Sequence, residues 1–261
     1  MDRPEPEYPY SSPASDPEIA YAGQSPFERF KLQWGNEDYR RSILTWISLI
    51  FLLLIYPAQS LLAGEDFAKQ LENINQGVLL VMLIATIVVQ WGIFLLLYLT
   101  AYRERTGLRG LGFVRIKGVD FLWAIAFLLA ANLILSALAW FLGQIGLPMP
   151  GELVFLIPQD PLGKVVWVLV SFTAGFCEEA AFRGYLMTRL RLLGKLNSWL
   201  IPVIVSSVAF GACHAYQGWP GFIVISVYGA MFALLFLRTK RIWPVIIAHS
   251  LQDFSALFIP Q

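Results

Sequence analysis

Charge is what this 261-residue sequence has least of: 14% of it is Asp, Glu, Lys or Arg, against 57% hydrophobic residues and a mean hydropathy of +0.61. An ordinary soluble domain carries about 25% charged residues, so a soluble globular fold is excluded. An excess of one sign is missing as well. Nineteen Lys and Arg against eighteen Asp and Glu leave a formal charge of +1, too little basic excess to neutralise a nucleic-acid backbone, and nucleic-acid partners are set aside. The two cysteines, Cys177 and Cys213, lie in apolar segments without CxxC spacing, which excludes a disulfide framework and a structural zinc site. They read as small buried hydrophobes. Histidine is equally scarce, with only His214 and His249. No basic, apolar and small-residue succession of the signal-peptide kind precedes Ile43, so the first apolar segment is expected to remain uncleaved.

What the sequence has in abundance is long apolar runs. Residues 1–36 are the exception: six prolines (Pro4, Pro6, Pro9, Pro13, Pro17, Pro26) among Ser, Glu and Asp predict a disordered N-terminal tail. Beyond it, seven segments approach the roughly 20 residues that cross a bilayer: 43–63, 77–100, 121–143, 164–187, 199–215, 221–237 and 242–259. The expected fold is therefore all-α, a polytopic helical membrane domain over 37–261. The tryptophans Trp91, Trp140, Trp199 and Trp243 read as interface belt or packing. Lys and Arg alternate between loops. Arg29, Lys31, Arg40 and Arg41 precede the first span, Arg103, Arg105, Arg109, Arg115 and Lys117 follow the second, Arg189, Arg191 and Lys195 the fourth, and Arg238, Lys240 and Arg241 the sixth. The intervening loops hold only Lys69 and Lys164. Such alternation predicts a cytoplasmic N-terminus and a C-terminus on the opposite side.

Spans one, two, three and six hold no ionisable residue in their interiors and read as packing or lipid-facing helices. The others carry Glu178, Glu179 and Arg183, then His214, then His249 and Asp253. A charge at the bilayer centre costs about 2.5–3.5 kcal/mol on insertion scales, so groups gathered on three helices mark a candidate site. Helical spacing assigns provisional roles. Glu179 and Arg183 lie at i, i+4 in the favourable order for an ion pair. Glu178, about 100° around the helix, is left free for acid–base work. His249 and Asp253, also four apart, face one cavity. Gly184, Gly211 and Gly218 would permit close approach of helices.

In order, Glu178-Glu179-Ala-Ala-Phe182-Arg183, Phe210-Gly-Ala-Cys-His214 and His249-Ser-Leu-Gln-Asp253 follow the pattern EExxxR, FxxxH, HxxxN/D. Over roughly 164–255 the sequence thus resembles the CAAX protease and bacteriocin-processing (CPBP) intramembrane endopeptidases. The resemblance implies a membrane-associated protein or peptide substrate, a cavity opening to the cytoplasmic side, and a site in the C-terminal four-helix part. It also implies peptide hydrolysis by a water held between Glu178 and His214. His249 and Asp253 would stabilise the oxyanion, with Glu179 and Arg183 in support. The third motif ends in Asp253 where eukaryotic members have Asn, so oxyanion donation there requires a protonated carboxyl or a purely orienting role.

No cofactor is expected on this reading. The alternative is zinc held by Glu178, His214 and His249, although no HExxH occurs. Two other functions fit intramembrane Glu, His and Asp: a proton-coupled transporter, and a non-catalytic scaffold or immunity protein on the same fold. The expected spans carry one geometric tension. At 1.5 Å per residue, Glu178 and His249 lie about 15 and 12 Å from the cytoplasmic edge but His214 over 20 Å. Either residues 189–200 dip inward or the fifth span is tilted or re-entrant.

Overall fold

The computed structural model describes residues 23–71, 74–149 and 157–258, without the side chains of 64–71. Eight helices and no strands occur among the described residues. Helix α1 is Pro26–Gln33. Helix α2 runs from Ile43 to Leu71 and passes through a π-helical stretch at Phe51–Ile55, just ahead of Pro57. Pro57 has no N–H to offer the preceding turn, and the wider helix is the local accommodation. Helix α3 is Gln76–Arg103, capped by Asn75 Oδ1, which accepts from the Val78 N–H at 2.9 Å. Helix α4 is Gly118–Gln144. Helix α5 spans Pro161–Gly194, with Asp160 as N-cap, Pro161 in the first turn and a π-helical stretch at Ala180–Met187. Helices α6 (Leu200–Ala212), α7 (Gly218–Thr239) and α8 (Trp243–Ser255) complete the bundle.

Five of these segments are long and apolar enough to cross a membrane: Ile43–Ala63, Gln76–Arg103, Gly118–Gln144, Pro161–Gly194 and Ala215–Thr239. The chain is an integral membrane protein of the polytopic helical class. The expected fifth and seventh spans are shorter than predicted. Helices α6 and α8 have thirteen residues each, about 20 Å at 1.5 Å per residue; α6 packs on α7 and α8 on α5. Burial is inverted relative to a soluble protein on α4, where Leu129 and Leu133 are exposed and only 11% of the most apolar window is buried.

Two differences from the sequence reading have physical causes. The expected tail over 1–36 ends earlier: residues 1–22 lie outside the described residues, but 26–33 form α1, which starts at the Ser25 cap and buries Phe30. Phe30 and Trp34 lie one helical turn apart and pack on Trp199 and Phe236, so this short piece has the apolar face that the proline-rich part lacks. The depth mismatch also disappears. Helix α5 continues to Gly194, past the expected end at 187, so Glu178 stands about 24 Å from that end, comparable with the roughly 20 Å from Leu200 to His214.

The basic loops meet at one end of the bundle. Arg40 N–H donates to the Glu104 carbonyl at 3.0 Å, Ile242 N–H to that of Gly112 at 3.0 Å, and Lys240 Nζ to Gln33 Oε1 at 2.9 Å. Arg241 pairs with Asp120 at 2.6 Å, and that hydrogen bond holds its guanidinium above the ordinary value. Deeper lies a fully buried clasp. Arg189 Nε donates to Glu104 Oε2 at 2.9 Å, Nη2 to Thr106 Oγ1 at 2.5 Å and Nη1 to the Gly110 carbonyl at 3.1 Å; Glu104 Oε1 accepts from Thr45 at 2.7 Å and Tyr185 at 3.1 Å. Nearby, burial, with the Glu104 carboxylate beside it, pushes the Tyr39 phenol up to about 12, so Tyr39 adds no charge to this clasp near neutrality. The clasp joins α2, α3 and the following loop to the lower half of α5, which fixes the rotation of the helix that carries the carboxylates.

Candidate active site

Helix α5 supplies two adjacent carboxylates with different surroundings. Glu179 is fully buried and accepts Arg183 Nη1 at 2.9 Å, the i, i+4 pair that the spacing predicts. Arg183, itself fully buried, also donates through Nη2 to the Gly229 carbonyl of α7 at 3.1 Å and lies over the Phe210 ring at 4.3 Å. The same Glu179 Oε1 receives His249 Nδ1 at 2.8 Å. Glu178 is half-buried and turned to a different neighbourhood, where its Oε1 accepts from Gln90 Nε2 of α3 at 2.8 Å.

His249 is buried on α8, stacked on Phe232 with ring centroids 5.3 Å apart. Its Nδ1 is committed to Glu179, so Nε2 is the nitrogen left toward the site, 3.6 Å from Asp253 Oδ2 and 4.0 Å from Glu178 Oε2. Asp253 is held in place by its backbone, whose carbonyl accepts from Trp167 Nε1 at 3.0 Å. The approach of α8 to α5 depends on Gly175, where a Cβ would stand 2.7 Å from Ser250 N and 2.9 Å from the Ile246 carbonyl.

His214 lies just past the end of α6. Its Nδ1 is 3.0 Å from the Phe210 carbonyl, so that nitrogen carries the proton and Nε2 is left as the acceptor. Phe210 is a shared wall, 5.1 Å from the His214 ring, 6.1 Å from His249 and 5.2 Å from Phe182. Gly211 brings α6 against α7, since a Cβ there would collide with Ser226. Beside the cluster opens a cavity of about 540 Å³, lined by Tyr56, Ser60, Leu83, Trp167, Cys213 and Tyr216 among others.

All six residues singled out from the sequence thus lie around one region of the bundle. Burial divides them. Glu179 and Arg183 are sealed off, while Glu178, His214 and Asp253 are half-buried. Gln90 was not foreseen: a lone neutral amide in an otherwise apolar span carries no distinguishing pattern. Its contact extends the site beyond the C-terminal four helices, and α3 is more than a packing helix. Among the described residues no three His, Cys, Asp or Glu side chains are grouped as metal ligands.

Fold and site together define a membrane-embedded protein with a carboxylate–imidazole cluster beside an open cavity. Residues 161–255, the stretch that carries Glu178, His214 and His249, match the family described as Rce1-like, type II CAAX prenyl endopeptidase. No curated protein and no solved structure matches the chain.

Proposed function

We propose that the protein is an intramembrane endopeptidase of the glutamate type, and that Glu178 is its general base. The observation that supports this most directly is the division between adjacent carboxylates: Glu179 is consumed by Arg183 and His249, whereas Glu178 Oε2 is 4.0 Å from His249 Nε2 with no closer partner among the described residues. A water between Glu178 and His214 Nε2 loses a proton to Glu178 as its oxygen attacks the peptide carbonyl. The oxyanion is met by His249 Nε2–H, and the imidazolium is sustained by Glu179 at Nδ1, as a buried carboxylate sustains the histidine of a catalytic triad. Asp253 orients His249 from the Nε2 side. Glu178 then passes its proton to the amide nitrogen as the C–N bond breaks. Gln90 is a positioning residue that fixes the rotamer of Glu178.

The matching family is described as a CAAX prenyl endopeptidase, which makes a prenylated peptide with a CAAX terminus the substrate to assay first. Purified protein in proteoliposomes should release the tripeptide, and Glu178→Gln should release none. Undiminished cleavage by Glu178→Gln would remove the assignment.

A further inference from the structure

At the basic end of the bundle, away from the catalytic cluster, a second cavity of about 270 Å³ lies between α1, the α5–α6 turn and the end of α7. Arg29, Arg191 and Lys240 line it together with Phe30, Trp34 and Trp199, and among the described residues no acidic side chain does. Arg191 is the informative member. Only 3% exposed, its guanidinium lies 4.1 Å over Trp199 and 4.7 Å over Phe30 and donates to the carbonyls of Leu196, Pro26 and Asn197 at 3.0, 3.1 and 3.1 Å. The other two buried guanidiniums have carboxylates at 2.9 Å (Arg183) and 2.8 Å (Arg189); among the described residues Arg191 has none. Lys240 holds its ammonium to Gln33 Oε1 at 2.9 Å, again a neutral acceptor.

Three like charges around one small cavity repel one another, and a buried cation without a counter-ion is costly. An anion seated there relieves both. We propose that this cavity binds the phosphate of an anionic phospholipid headgroup. Two features favour a lipid over a free ion. The cavity is walled by tryptophans at the end of the spans, where interfacial aromatics meet headgroups. Its volume, about nine times the roughly 30 Å³ share of a water molecule, accommodates a headgroup but not an acyl chain, which would lie along the exposed apolar helix flanks. The inference stands independently of the peptidase chemistry.

Native mass spectrometry of the full chain in detergent, titrated with phosphatidylglycerol and with phosphatidylcholine, tests it. One phosphatidylglycerol should remain bound with at least tenfold preference, and Arg29→Gln with Lys240→Gln, both exposed positions, should weaken it about thirtyfold. The control pair Lys195→Gln with Arg238→Gln removes the same charge outside the cavity and should leave binding unchanged. Equal weakening by both pairs, or no preference for the anionic lipid, would overturn the site. Glycerol 3-phosphate binding as tightly as the lipid would overturn the lipid assignment.

Discussion

Gln90 Nε2 on α3 donates to Glu178 Oε1 on α5 at 2.8 Å, tying a helix outside the matched segment to a carboxylate inside it. Replacing Gln90 with Leu keeps the volume and removes the donor. A misplacement of about 1 Å in a reacting group can cost on the order of 100-fold, so kcat should fall by up to about that factor with KM little changed. Steady-state kinetics on the prenylated peptide decide; a rise in KM at constant kcat would assign Gln90 to substrate binding instead.

The adjacent carboxylates should separate in a paired measurement. Glu178→Gln keeps an acceptor for Gln90 and should abolish turnover with the melting temperature nearly intact. Arg183→Ala leaves the buried Glu179 without its guanidinium and with His249 as its remaining partner, a loss of about 3 kcal/mol. Thermal unfolding in detergent alongside turnover reads both; the reverse pattern would sink the division of labour.

Much of this arrangement was legible in the sequence, and what was not has identifiable reasons. Glu179 and Arg183 could be paired because a helix fixes which residues share a face. His214 and His249 stood out because ionisable groups are rare in apolar segments. Gln90 carries no such signal, being uncharged, and Arg189 counts among the loop charges although it is fully buried, as is its partner Glu104. The shortness of α6 and α8 is hidden in the sequence because apolar residues continue past both ends of each helix, so the apolar run is longer than the helix it contains.

The clasp should be as costly to break as the catalytic-side pair. Arg189→Met is expected to destabilise by about 3–5 kcal/mol, because Glu104 keeps its charge and loses its counter-ion. Adding Glu104→Gln should restore part of that loss. Additive losses in the double variant would mean that the two side chains act separately.

Topology is read by single cysteines in a background without Cys177 and Cys213. Lys195→Cys and Lys240→Cys should label from the side of the N-terminus, Lys164→Cys from the other. Labelling of all three from one side would contradict the alternation.

Active protein should contain no stoichiometric metal and survive extended chelation. One zinc per chain, with activity lost on its removal and regained on its return, would assign Glu178, His214 and His249 as ligands.

The Arg189–Glu104 clasp also bears on how this fold can be cut. Residues 161–255 end up with Arg189 but not Glu104, and with Glu178 but not Gln90. Expressed alone, that stretch would bare the face on which Arg189 meets Glu104, Thr106 and Gly110 and leave its proposed base free to turn. The segment that a family shares is therefore smaller than the unit that folds. Chimeras joining this stretch to the first three spans of another protein should fail unless the glutamate and the glutamine travel with it.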